Sequence, residues 1–118
     1  MELSTAVKGL SALAQDSRLS VFRLLVQAGP AGIAAGDIAR ELGLTPNTLS
    51  AQLSVLANAG LIRSLRRGRS IIYSADYEST SRLLVYLTDD CCQGRPEICA
   101  PLAEIVSRRS DPVEEAYS

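Results

Sequence analysis

The 118-residue sequence contains no histidine and no tryptophan, and its aromatic residues are one Phe and four Tyr. Without imidazole there is no Ser-His-Asp or Cys-His nucleophile, no His general acid or base, and no zinc site of the kinds that require a His ligand. No stretch approaches the ~20 consecutive apolar residues of a membrane span. The opening Met1-Glu2-Leu3 lacks the basic-then-apolar pattern of a secretory signal, so the expected location is cytoplasmic. Cysteine is absent until three appear between Cys91 and Cys99. An odd count without an export signal argues against a disulfide framework. What is present, 47% apolar and 21% charged residues, is the composition of one folded domain. A lone domain of this size buries only about two thirds of its unfolded surface. With so few aromatic residues, pairing with a second subunit is a natural way to bury more.

Acidic residues are missing from one long window. Residues 42–75 hold no Asp or Glu and four Arg (Arg63, Arg66, Arg67 and Arg69), a local charge of +4. The rest carries all 13 acids against eight bases, or −5, so the overall −1 conceals a segregation. A basic, acid-free segment in an acidic chain is the electrostatic footprint of an anionic partner such as nucleic acid.

Apolar spacing divides the chain into short helices followed by strands. Leu3, Val7, Leu10 and Ala14 recur at helical intervals, with Ser4 or Thr5 as cap. Asp16-Ser17 starts a second helix with Leu19, Phe22, Leu25 and Val26 on one face, stopped by Gly29-Pro30. A loop containing Gly32 leads to a short helix over 37–42, capped by Gly43. Thr45 then caps a helix whose first residue is Pro46, where the missing amide is harmless. Its core side is Leu49, Leu53 and Leu56, and Gly60 ends it. Leu61–Leu65 and Ser70–Ser74 read as two strands joined by the basic turn Arg66-Arg67-Gly68-Arg69. Asp76 caps a last helix containing Leu83, Leu84, Tyr86 and Leu87. Gly94 and Pro96 rule out a continuous helix beyond it, and a tail from Pro112 is expected to be mobile.

Two short helices joined by Gly43-Leu44-Thr45, with a hairpin directly after the second, make a helix-turn-helix followed by a wing. The expected class is mainly α with a small β-hairpin. Steps of 100° place Asn47, Ala51 and Ser54 opposite the core side of the second helix, with Ser50 and Thr48 on its flanks. That face is small, polar and without acid, so phosphates do not repel it. Asn and Ser can bond base edges, and the Ala methyl can meet thymine. Asn47, Ser50 and Ala51 are the candidates for base contact, with Thr48 and Ser54 nearer the DNA backbone; Gln52 falls toward the core edge. Arg66, Arg67 and Arg69 at the wing tip would reach phosphates or the minor groove.

The run Leu42-Gly43-Leu44-Thr45-Pro46-Asn47-Thr48-Leu49-Ser50-Ala51-Gln52-Leu53-Ser54-Val55-Leu56, then Ala59-Gly60-Leu61-Ile62 and the Arg67-Gly68-Arg69 turn ending in Tyr73, resembles the ArsR/SmtB family of metal-responsive winged-helix repressors. Leu13-Ala14-Gln15-Asp16-Ser17-Arg18-Leu19 also resembles the family's approach to its second helix. The likeness covers about residues 3 to 90. It implies a homodimer joined through the first and last long helices, around Leu3, Val7 and Leu10 and around Leu83, Leu84 and Leu87. Two recognition helices would then enter successive major grooves roughly 34 Å apart. Residues 1–90 would form the DNA-binding and dimerisation domain, and 91–118 an effector-binding loop and tail.

The family's founding arsenite sensors carry Cys-Val-Cys-Asp-Leu-Cys before the recognition helix. The matching positions here are Ala34, Gly36 and Ala39, so that site is absent, and the family's His-dependent zinc and nickel sites are absent too. Cys91-Cys92-x6-Cys99 resembles instead the variant arsenite repressors whose site lies at this end of the chain. Three thiolates satisfy a pyramidal As(III) or Sb(III), whereas zinc would need Asp89, Asp90 or Glu97 to complete its sphere. Adjacent cysteines diverge by 100° on a regular helix, so Cys91 and Cys92 require it to fray there. The resemblance therefore implies a repressor that leaves its operator when As(III) or Sb(III) binds. A thiol-redox switch, in which Cys91 or Cys92 is oxidised and resolved by Cys99, is the alternative. A DNA-free interaction module using the same dimer helices is a third. An arsenate reductase is disfavoured by the lack of a Cys-x5-Arg anion loop, of Cys-x2-Cys and of a Gly-rich phosphate cradle.

Overall fold

The computed structural model describes residues 1–88. Met1–Leu83 forms one compact unit, and the end of the last helix, from Leu84, belongs to a second and is described by itself. Five helices and three strands follow in the order α1 (Leu3–Leu13), α2 (Asp16–Ala28), β1 (Ile33–Ala34), α3 (Ala35–Leu42), α4 (Pro46–Asn58), β2 (Ile62–Arg67), β3 (Ser70–Ala75) and α5 (Tyr77–Thr88). This is a winged helix-turn-helix. The core of the first unit is built from Val21 and Leu25 of α2, Ile38 of α3, Leu49, Leu53 and Leu56 of α4, and Leu61, Ile62 and Ala75 of the hairpin.

Helix α1 turns its large apolar stripe outward. Ala6, Gly9 and Ala12 are buried, while Leu3, Val7 and Leu10 are exposed at 66%, 52% and 41%. Its start is Glu2 with no side-chain cap, so Ser4 and Thr5 lie inside the helix. Gly9 faces α5: a Cβ there would lie in ordinary van der Waals contact, 3.6 Å, with Leu83 Cδ2. Leu83 is accordingly buried, so it serves the core of the protomer and not the outward face expected from its neighbours. At the end of α5, Leu84, Val85 and Leu87 are exposed.

Helix α2 is capped one residue before the expected Asp16-Ser17 start. The Gln15 side chain accepts a hydrogen bond from the Arg18 N–H at 2.9 Å. Leu19 and Val26, expected on the core face, are exposed, whereas Val21, Phe22 and Leu25 are buried. Asp76 Oδ1 accepts from the Ser79 N–H at 3.0 Å and so caps α5 as expected.

The two-stranded wing is part of a three-stranded antiparallel sheet of order β1-β3-β2. Strand β1 pairs Ile33 with Tyr73 and Ala34 with Ile72. Gly32 makes that pairing possible: its φ is +75°, and a Cβ there would sit 2.5 Å from the Tyr73 carbonyl oxygen. Strand β2 runs on through Arg66 and Arg67, which oppose Ile71 and Ser70, leaving Gly68-Arg69 as a two-residue turn. Gly68 has φ +60°, the left-handed value that tight hairpin turns need at their first central position. Among the expected turn residues, Arg66 and Arg67 are therefore strand residues.

Candidate nucleic-acid interface

The helix-turn-helix begins with α3, whose end is fixed by Gly43 at φ +65°. The Leu44 N–H donates back to the Ala39 carbonyl at 3.0 Å, satisfying a carbonyl of the last turn and turning the chain sharply into α4. Thr45 Oγ1 then accepts from the Thr48 N–H at 3.2 Å, and Pro46 occupies the first turn. The Thr45 and Thr48 hydroxyls are themselves hydrogen-bonded at 2.9 Å. Thr48 is thus engaged in the cap while still exposed.

Leu49, Leu53 and Leu56 anchor α4 at 2%, 3% and 0% exposure, which fixes the opposite side toward solvent. Asn47, Thr48, Ser50, Ala51 and Ser54 are all exposed on it. Gln52 is half-buried and its Oε1 accepts from Arg18 Nη1 at 3.1 Å, in keeping with its expected place at the core edge. The outward face therefore holds amide, hydroxyl and methyl groups with no carboxylate.

The hairpin divides its arginines between two faces, because directly opposed residues of an antiparallel pair share a side. Arg66 opposes Ile71, and Ser64 opposes Tyr73. Ile71 and Tyr73 line a cleft of about 250 Å³ against Pro46, Leu49, Ser50 and Leu53 of α4, so Arg66 is on the recognition-helix side of the wing. Arg63 and Arg67 oppose Ser74 and Ser70 on the other face, and Arg69 is in the turn. All four are exposed, and among the described residues none makes an ion pair. The ion pairs that are present, Arg40 with Asp37 on α3 and Arg82 with Glu78 on α5, lie outside the acid-free segment. The wing cations are thus unneutralised within the described protomer.

A helix-turn-helix domain family model matches residues 13–64, from the end of α1 into β2. The regulator NmtR of Mycobacterium tuberculosis is 40% identical over 75 residues, which is 64% of this chain and 60% of that protein's length. The regulator YgaV of Escherichia coli is 30% identical over 83 residues, 70% of this chain and 82% of the relative. Among solved structures, the homodimeric winged helix-turn-helix DNA-binding domain of a "possible ArsR-family transcriptional regulator" from Mycobacterium bovis superposes with a TM-score of 0.62. It is 33% identical and covers 75% of this chain and 81% of that one. This chain belongs to the ArsR/SmtB family. Its fold is that of a DNA-binding domain, and as an ArsR/SmtB-family protein it is a transcriptional regulator and not an enzyme.

The positions matched by resemblance to the founding arsenite ligands carry no ligating side chain. Ala34 ends β1, and Gly36 and Ala39 line the apolar cleft beside α4 with no donor atom in their side chains. Among the described residues, no three His, Cys, Asp or Glu are grouped to hold a metal. Cys91, Cys92 and Cys99, with the acids Asp89, Asp90 and Glu97, lie outside the described residues. No described helix is long and apolar enough to cross a membrane.

The arrangement that sequence reasoning missed is the Arg18–Gln52 bond between α2 and α4. The signal available was weak. Gln52 sits at the core edge by periodicity, but nothing in the spacing names a partner 34 residues earlier.

Proposed function

We propose that the chain is a homodimeric repressor whose α4 helices read successive major grooves of a near-palindromic operator, and that As(III) or Sb(III) releases it. The observation that carries the DNA reading is the uncharged polar face of α4 beside a wing whose exposed arginines have no acid partner. Asn47, Ser50 and Ala51 meet base edges, while Thr48 and Ser54 lie nearer the backbone. Arg66, Arg67 and Arg69 hold phosphates or enter the minor groove. Pairing through α1 is supported by its exposed Leu3, Val7 and Leu10 and by the homodimeric Mycobacterium bovis relative. The division of labour is residues 1–90 for DNA and dimer contacts and 91–118 for the effector and tail.

Donor chemistry supports the effector. Cys91, Cys92 and Cys99 supply three thiols within nine residues of a chain that has no His, which fits a trivalent thiophilic metalloid and leaves zinc short of ligands. The site follows α5, so closing it acts on the helix that leads into it. The test is a titration of operator DNA with and without arsenite on the wild type and on the Cys91→Ser, Cys92→Ser and Cys99→Ser variants. Arsenite should weaken wild-type binding about 5- to 150-fold, the usual span of allosteric coupling, and leave the variants unchanged. Unchanged wild-type affinity overturns the sensor reading. Release by peroxide alone would establish the redox switch in its place.

A further inference from the structure

Arg18 joins three helices through one side chain. It stands in the first turn of α2, half-buried, with its own N–H held by Gln15 Oε1 at 2.9 Å. Its Nε donates to the Ala12 carbonyl at 2.6 Å and its Nη2 to the Ser11 carbonyl at 3.4 Å. Both carbonyls belong to the last turn of α1, at the negative end of the helix dipole, and that of Ser11 also accepts from the Ala14 N–H at 3.2 Å. From the same planar guanidinium, Nη1 reaches Gln52 Oε1 on α4 at 3.1 Å. A rigid fork of this kind fixes direction in a way that the flexible ammonium of Lys does not.

The remaining anchors of α4 are Leu49, Leu53 and Leu56, whose burial is favourable but non-directional. Their burial sets which face of α4 turns inward but tolerates small rotations about that face. The Arg18–Gln52 bond is directional and charge-assisted, so it narrows the rotation that remains. It also commits the Gln52 amide oxygen inward. A Gln that reads adenine needs both its oxygen and its nitrogen free toward the groove.

We propose that Arg18 and Gln52 are positioning residues for DNA recognition: Arg18 registers α4 against the end of α1, and Gln52 reads no base. The proposal rests on the DNA reading given above. It makes the angle of the recognition face depend on α1, the helix whose outward stripe carries the proposed dimer contact.

The experiment uses a duplex that the wild-type protein selects from a random pool, together with an unselected duplex as control. Full-length Arg18→Lys and Gln52→Leu should each lose about tenfold or more of affinity for the selected duplex, the scale of a hydrogen bond to a charged group. Affinity for the unselected duplex and the salt dependence should stay as in wild type. The double variant should be no weaker than Arg18→Lys alone, because that change already removes the bond that Gln52→Leu breaks. Gln52→Glu keeps the acceptor and should keep the preferred base at every operator position. Equal losses on both duplexes, or additive losses in the double variant, would mean a general structural role and overturn the proposal. A changed base preference in Gln52→Leu would make Gln52 a reader and also overturn it. A wild-type protein that enriches no duplex overturns the DNA reading itself, whereas a wild type that selects DNA beside unaffected variants overturns this inference alone.

Discussion

A methyl group at Gly32 would have to occupy space 2.5 Å from the Tyr73 carbonyl oxygen and 2.8 Å from Ile72 Cγ2, on a backbone at φ +75°. Both the contact and the dihedral oppose any side chain. Gly32→Ala should therefore lower stability by at least about 1 to 3 kcal/mol, the cost of a strained left-handed residue, as measured by urea denaturation. An unchanged midpoint would mean that β1 does not pair with β3 as described. Residue chemistry of this local kind was partly legible in the sequence. Thr45 as cap, Pro46 in the first turn, Gly43 as stop and Asp76 as cap are all found, because each acts through neighbours within a few residues. The Gln15 cap of α2 was not, since Gln is a weak signal beside Asp16-Ser17. The need for glycine at 32 was likewise hidden, because the atom it avoids is 41 positions away, at Tyr73.

At the scale of elements, periodicity finds a stripe but does not say what the stripe meets. In α4 the spacing of Leu49, Leu53 and Leu56 marks the core, and the polar face follows by geometry. In α1 the same kind of spacing marks Leu3, Val7 and Leu10, yet the buried side is the run of small residues Ala6, Gly9 and Ala12. Small residues let α1 lie close to its neighbours, and the larger ones remain for an external contact. Val7→Asp with Leu10→Asp should convert the proposed dimer to monomer by sedimentation, with far-ultraviolet circular dichroism little altered; a persistent dimer would place the interface elsewhere. Strand β1 was not legible, because two residues cannot show a period. The basic turn is shorter than its run of Arg implies, for a related reason. A run of Arg looks like a loop, but the two-residue turn at Gly68-Arg69 sets a register that carries pairing through Arg66 and Arg67. The consequence is functional: Arg66 is on the α4 side of the wing and Arg67 on the other.

Over the whole molecule the governing feature is the separation of charge, +4 in residues 42–75 against −5 elsewhere. The segment free of acid coincides with α4 and the wing, and the acids of α3 and α5 that form ion pairs stand on either side of it in sequence. Charge segregation was fully legible in the sequence, because it is composition along one stretch, and the helix-turn-helix and wing were legible from turn chemistry, while the family was legible through the resemblance of residues 42–73. A homodimer would present two such segments to one duplex. The measurement that tests this most directly is the slope of log K against log salt for operator binding, compared between wild type and the Arg66→Ala, Arg67→Ala, Arg69→Ala triple variant. Each lost phosphate contact should flatten the slope by about 0.9. A triple variant with weaker binding and a clearly flatter slope fits a wing that holds phosphates. A slope equal to that of wild type would contradict the account.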